Sequence, residues 1–440
     1  MRISNREFNK RRKDLMVQME SNSIALLSSA PPSVRNNDAE YQYRQNSDFF
    51  YLTGFAEPNA LLALIPRRRQ GEVVLFCQEK DKEKELWTGY ILGPDAAIEE
   101  LGVDDAYPID DIDDIITGLI EGRDRVYYSM GKDDDFDNCV MEWVKVIRSK
   151  AKIGSHPPSE FQVLDHLLHE LRLHKSPTEI KLMEKAVKIS AEGHKAAMAH
   201  CKPGVMEYEL EAELLYAFTR NGSRAPAYVS IVGSGDNACI LHYDSNNAEV
   251  KDGDMVLIDA GCEYQYYASD ITRTFPASGK FTPEQKAIYE IVLESQKAAI
   301  AEVKPGAQWD APHNASVRVI TKGLVKLGLL KGRPAQLIKS EAYKDFYMHR
   351  VGHWIGMDVH DVGDYKIDDH WRLLEPGMVT TIEPGIYISP NNTKVAKKWR
   401  GIGIRIEDDV LVTKSGNKIL SAGIPKTVQE IESFMSTAAV

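Results

Sequence analysis

Four carboxylates at the ends of apolar runs dominate the chemistry this chain can offer. Val256, Leu257 and Ile258 lead into Asp259, and eleven residues later Asp270 stands in the β-branched stretch 269–275. Residues 378–382 lead into Glu383, and Glu407 stands in the run 401–409. In an extended strand successive side chains point to opposite sides, so Ile402, Ile404 and Ile406 share one face and Gly403, Arg405 and Glu407 the other. Carboxylates on apolar strands are costly to bury, because desolvation and mutual repulsion both favour the protonated form. Arg405 alone cannot balance four of them. Two divalent cations can, four positive charges meeting four negative ones, with a bridging hydroxide as the last ligand. A fifth protein ligand is expected from His349, His353 and His360, which fall within twelve residues. His353, in the run Gly352-His353-Trp354-Ile355-Gly356, is the candidate. Oxygen-rich ligation with one imidazole suits Mn2+, with Co2+ or Fe2+ fitting less specifically, and the lack of thiolates argues against a structural zinc site. A lone aspartate after a strand is usually a turn residue, and a lone buried histidine a satisfied core group. The weight lies in the five together.

The elements that must hold these residues read as a repeat. Gly253, Ile258, Asp259 and Gly261 have the same spacing as Gly377, Ile382, Glu383 and Gly385, and a histidine precedes each set, His242 before Asp259 and His360 before Glu383. Ser176-Pro177 with Glu179, and Thr282-Pro283 with Gln285, are matching helix starts: a hydroxyl cap, proline at the first helical position, and Glu or Gln three residues after the cap. Both helices are expected to close at a Lys-Pro-Gly, at residues 202–204 and 304–306. Gly261 and residues 264–267 fit a hairpin that would set Asp259 and Asp270 on neighbouring strands. Residues 175–440 therefore read as one pseudo-symmetric α+β domain. A smaller α/β domain, residues 1–174, precedes it. Strands are expected there at Phe49–Leu52, Ala60–Ile65 and Val73–Cys77, and a helix carrying Val163, Leu167, Leu168 and Leu171.

The chain has 440 residues, enough for two or three domains. Lys plus Arg number 54 against 65 Asp plus Glu, a net charge of −11, which disfavours nucleic acid and anionic membranes as partners. Arg67, Arg68 and Arg69 read as a solvated loop, and the acidic runs 104–114 and 133–137 as solvated surface. No apolar leader and no run of 18 apolar residues occurs, so a soluble, cytoplasmic protein is expected. Five scattered cysteines without a CxxC suit a reducing compartment.

The motifs ILHYDSN (240–246), LIDAGCEY (257–264), SDITRTFP (269–276), HRVGHWIGMDVHD (349–361), TIEPGIY (381–387) and GIGIRIEDD (401–409) resemble those of the pita-bread metallopeptidases, and among them the X-Pro aminopeptidases (aminopeptidase P). NSDFFYLTG (46–54) is similar to the family's N-terminal domain. The resemblance implies Asp259 on one metal, His353 and Glu383 on the other, and Asp270 and Glu407 bridging. It implies substrate-side roles for His242, His349 and His360, and site-shaping roles for Tyr387 and Arg405. It further implies hydrolysis of the first peptide bond of peptides with proline in second place, with Glu383 taking the proton of the attacking water and His360 or His242 donating to the carbonyl or leaving nitrogen. A homo-oligomer, dimer or tetramer, is implied as well, in which Trp87 either approaches a neighbour's active site or packs locally. Arg350-Val351-Gly352 departs from the spelling of the aminopeptidases towards the wider family that includes prolidases, the dipeptide-restricted alternative. Methionine aminopeptidase is disfavoured by the 174 preceding residues, and a non-catalytic peptide binder by the intact ligand set.

Overall fold

The computed structural model describes residues 2–438. The chain divides into two compact units, Met1–Arg172 and Leu173–Val440.

The first unit is built on a six-stranded sheet in the order Asp105–Pro108, Val73–Cys77, Leu61–Leu64, Ser23–Ser28, Arg125–Tyr128, Glu160–Val163. Leu61–Leu64 pairs antiparallel with both of its neighbours, and the other pairings are parallel. The central strands are covered on both faces, which is why they read as unbroken apolar runs rather than alternating ones. Helices Ile112–Ile120 and Asp134–Ser149 supply Ile116, Ile120, Val140 and Trp143 to this core.

Two local expectations are overturned in this unit. Residues 49–52 are not a strand but lie in the helix Ser47–Thr53. The Asn46 side chain accepts a hydrogen bond from the Phe49 N–H at its start, and Gly54 closes it at φ 67°. Those two caps outweigh the β preference of the aromatic run. Val163 belongs to the edge strand Glu160–Val163, and the helix begins only at Asp165. The acidic run at 133–137 is surface, as expected, and it also starts a helix: the Asp133 side chain caps Asp134–Ser149 and three more acids occupy its first turn, where they complement the helix dipole.

In the second unit each half is a pair of packed helices followed by antiparallel strands. Pro177–His200 and Glu207–Arg220 precede the sheet Ile231–Ser234, Met255–Asp259, Thr272–Pro276. Pro283–Glu302 and Ala311–Lys326 precede the sheet Val379–Ile382, Asp408–Thr413, Gly416–Ile419 and the hairpin Gly385–Ile388 with Ile402–Arg405. Both expected capping boxes form, on Ser176 with Glu179 and on Thr282 with Gln285. Ile288, Val292 and Ala299 are fully buried along one face of the second such helix.

Two strands expected to be continuous are shorter. Asp270 lies just ahead of Thr272–Pro276, and the run 401–409 is interrupted at Ile406 and Glu407. The interruption occurs because the chain changes partner: Arg405 pairs with Gly385, whereas Asp408 pairs with Ile382. The facing rule survives it. Ile402, Ile404 and Ile406 all enter the main core, and Arg405 and Glu407 face the opposite way. The two halves meet through the Glu407 N–H donating to the Thr272 carbonyl (3.1 Å) and through Thr274, whose hydroxyl donates to the Arg405 carbonyl (2.8 Å). Beneath this seam Arg273 and Asp408, both fully buried, pair at 2.8 Å, and Arg273 also donates to the Glu407 carbonyl at 2.6 Å.

Candidate metal centre

The seam places every predicted ligand around one cavity of about 500 Å3, lined by Asp259, Asp270, His353, Glu383 and Glu407 together with His242, His349, His360 and Arg405. Asp259 sits at the end of Met255–Asp259, opposite Thr272. Gly261 permits the tight approach that follows, since a Cβ there would lie 1.7 Å from the Ser269 carbonyl oxygen. Glu383 follows Val379–Ile382, and its N–H donates to the Val351 carbonyl at 2.7 Å, which ties it to the histidine segment. Gly352 is required in that segment, because a Cβ there would meet the Thr381 oxygen at 1.9 Å.

Donor atoms of Asp270, His353 and Glu407 lie within 4.8 Å of one another. His353 Nε2 is 3.3 Å from Asp270 Oδ2 and 3.7 Å from Glu383 Oε1. Its Nδ1 is 2.9 Å from the Trp354 carbonyl oxygen. That contact places the ring proton on Nδ1 and leaves Nε2 as the ligating nitrogen, the usual arrangement behind a metal-bound imidazole. Glu407 accepts from the Thr272 hydroxyl at 2.7 Å.

The electrostatics are those of a site built for cations. Burial pushes Glu407 well above the usual carboxylate range, and the charges of Asp270 and Glu383 push it further. Burial raises Glu383 to about 7, against the pull of His353 and Arg405. Asp259 is also raised by burial, with Arg405 opposing. Asp270 is held low: burial works against its charge, but the hydrogen bond and charge of His353 outweigh it. Among the described residues lining the cavity, Arg405 is the guanidinium that reaches these carboxylates, donating to Asp259 at 2.6 Å. Three carboxylates pushed towards protonation and a fourth kept charged by His353, with one arginine and one aimed imidazole, fit divalent cations.

The remaining predicted residues divide by their contacts. Arg405 donates to the Tyr387 hydroxyl at 2.9 Å, and that hydroxyl is 3.0 Å from His349 Nε2, while His349 Nδ1 is 2.7 Å from the Arg350 carbonyl. Arginine can only donate, so the proton order is fixed: Tyr387 donates to His349 Nε2, and His349 Nδ1 donates to the carbonyl. Burial, then the charge of Arg405, lowers His349 to about 3 and keeps it neutral. His349 thus offers substrate its ring and not a free N–H. His360 stands edge-on to His353, ring centres 4.4 Å apart, and is lowered by burial and by His353. His242 reaches the cavity from an exposed loop.

Tyr228 escaped the sequence reading. Its hydroxyl lies 2.7 Å from Asp259 and 2.5 Å from Asp270, bridging the two carboxylates, and burial followed by their charges keeps it protonated. Nothing in the pattern of residues 225–230 distinguishes it from a core tyrosine. Thr272 was more accessible to reasoning, since it lies two residues beyond Asp270 and hence on the same side of an extended segment.

Residues 181–414 match metallopeptidase family M24, and residues 8–127 match the aminopeptidase P N-terminal domain. The chain is 47% identical over 437 residues to the Xaa-Pro aminopeptidase of Escherichia coli K12, covering 99% of each. The chain belongs to the Xaa-Pro aminopeptidases of metallopeptidase family M24. Solved relatives agree in three dimensions. The structure of Pseudomonas aeruginosa aminopeptidase PepP is 62% identical and superposes with a TM-score of 0.99 over 99% of both chains. Zinc-substituted E. coli aminopeptidase P in complex with product is 47% identical, with a TM-score of 0.97 over 100% of this chain and 99% of that one. Membership among the Xaa-Pro aminopeptidases accounts for the two-unit architecture and for a carboxylate and imidazole cluster suited to divalent metal ions.

Proposed function

We propose that this chain removes the first residue from peptides whose second residue is proline, using two manganese ions. The observation that carries the reading is the convergence of Asp259, Asp270, His353, Glu383 and Glu407 on one cavity wall. In it Asp259 would hold one ion and His353 and Glu383 the other, with Asp270 and Glu407 available to both. Such ions would supply Lewis acidity and an activated water at neutral pH.

The protein's own groups do the rest. Glu383, which lines the cavity beside His353, is placed to accept the proton of the attacking water. His360 and His242, which line the same cavity, donate to the developing oxyanion and to the leaving nitrogen. Arg405 and Tyr387 hold Asp259 and His349 in place. Proline lacks an amide N–H and has a fixed φ, so a cavity shaped to the ring selects it by fit.

Five free cysteines suit a reducing cytoplasmic setting. In the first unit Leu86, Trp87 and Tyr90 are strongly exposed on and beside the helix Lys82–Thr88, which supports a further proposal, that the protein is a homo-oligomer.

The test is metal-reconstituted protein assayed on Gly-Pro-Ala, Gly-Ala-Ala and the dipeptide Gly-Pro, with metal content measured alongside. Release of glycine from Gly-Pro-Ala alone is expected. Cleavage restricted to Gly-Pro would assign the chain to dipeptide chemistry, and cleavage of Gly-Ala-Ala at the same rate would remove the proline requirement. Asp270→Ala and Glu407→Ala should each lose metal and turnover together.

A further inference from the structure

Glu207 is a buried carboxylate that the chemistry above does not use. It opens the helix Glu207–Arg220 and is 0% exposed. Its Oε1 accepts from the Ser234 N–H at 2.7 Å, the Ser234 hydroxyl at 2.8 Å and the Asn237 amide at 3.1 Å. Its Oε2 accepts from the Tyr243 hydroxyl at 2.7 Å and the Ala248 N–H at 2.9 Å. Among the described residues no lysine, arginine or histidine pairs with it, and its two oxygens are met by these five neutral donors.

The five donors share a property. They come from the beginning, the middle and the end of one loop, residues 234–248. His242 sits at the centre of that loop, next to Tyr243, and its ring makes no hydrogen bond to a described residue that would hold it against the cavity. A second anchor is Asn246, which accepts from the Val232 N–H at 2.9 Å and donates to the Ser230 carbonyl at 2.8 Å. Asn246 fixes the loop to the sheet edge, whereas Glu207 fixes the turn that carries the imidazole. We infer that Glu207 is a positioning residue, setting the place of His242 in the active site through the 234–248 loop. The inference rests on the peptidase reading above only for the consequence of that placement.

Glu207→Gln presents an amide NH2 to N–H and O–H donors and so breaks part of the set, while Tyr243→Phe removes one donor to Glu207, with the longer contact to Asn247 (3.3 Å), from a half-buried position. Each is combined with His242→Ala, loaded with Mn2+, checked for metal content and assayed on Gly-Pro-Ala. Glu207→Gln should keep its metal and lose about 10- to 100-fold in kcat/KM, the order of loss that follows from misplacing a reacting group by about 1 Å. Tyr243→Phe should lose less, and neither should lower kcat/KM further once His242 is alanine. Losses of the same size in the His242→Ala background, or full rates in metal-loaded single variants, would overturn the inference. Labelling histidine Cε1 with 13C gives a readout independent of turnover. The resonance missing from His242→Ala should move in both variants, and an unmoved resonance would refute the positioning. Should Glu207→Gln not fold, Tyr243→Phe decides by the same criteria. Failure of the parent to cleave Gly-Pro-Ala would count against the proposed function alone, because the resonance still reports on the loop.

Discussion

Removing the metal should make stability fall as pH rises, and His353 sets the size of the fall. In the ion-free site burial works against its charge, but the hydrogen bond and charge of Asp270, with Glu383, raise it from 6.5 to about 9. Between those values the folded chain keeps a proton that the unfolded chain has lost. Stability that is fully present below 6.5 is therefore lost as pH climbs through 9. A rise from 6.5 to about 9 corresponds to about 3 kcal/mol, or about 6–12 °C in Tm at about 2–4 °C per kcal/mol. Glu383, raised from 4.5 to about 7, acts in the same direction at the lower end of this range. The range is bounded by opposing and unrelated groups. Below 6.5 the buried His194 and His313, lowered by burial to about 4, and His349, lowered to about 3, add stability as pH rises. Towards and above 9 the buried thiols Cys201 and Cys239, pushed up by burial to about 12, become significant. Bound metal requires neutral His353, so the dependence should vanish in loaded protein, and the stabilisation by metal should grow with pH. Calorimetry of the catalytic unit's transition, in chelator and in excess Mn2+ at pH 6.5, 7.5 and 8.5, measures both. A chelated protein whose Tm is flat or rising across this range, or a metal-induced shift independent of pH, would refute the argument.

Three further outcomes follow from the geometry. Tyr228→Phe removes the hydroxyl shared by Asp259 and Asp270 and should weaken metal binding about 10- to 100-fold, the cost of losing an outer partner of a ligand, as read by titration calorimetry; unchanged affinity would sink the bridging role. Gly352→Ala puts a Cβ 1.9 Å from the Thr381 oxygen, so the irregular segment carrying His353 must shift, and metal content should drop in a folded protein, as circular dichroism and elemental analysis would report. Asp408→Asn breaks a fully buried pair with Arg273 and the contact with Lys426, and should destabilise the second unit by about 3–5 kcal/mol in chemical denaturation, because the arginine is left buried and unpaired.

What could be read from the residues, and what could not, divides along a physical line. Period-two alternation and helix caps are local, and they carried Ser176, Thr282 and the facing of Arg405 and Glu407 correctly even where the strand itself breaks at Ile406. The four carboxylates were legible because their burial is anomalous: an apolar run that ends in an acid demands an explanation, whichever partner satisfies it. Tyr228 is the opposite case. A tyrosine among small and apolar residues is an ordinary core residue, and only the pairing of Met255–Asp259 with Thr272–Pro276, a contact between segments, brings its hydroxyl between two acids. The misread helix Ser47–Thr53 shows a second limit. There the informative residues, Asn46 and Gly54, stood outside the aromatic run that drew attention, and capping at two ends settled a segment whose interior favoured a strand. Glu207 combines both limits. From its position as the first residue of a helix it reads as a dipole-complementing acid, a role worth a few tenths of a kcal/mol to about 1 kcal/mol, and only the folded loop reveals five donors converging on it. Side chains that act through a loop are thus the ones least visible in one dimension, because the partners that give them meaning lie far along the chain and are brought together only by the fold.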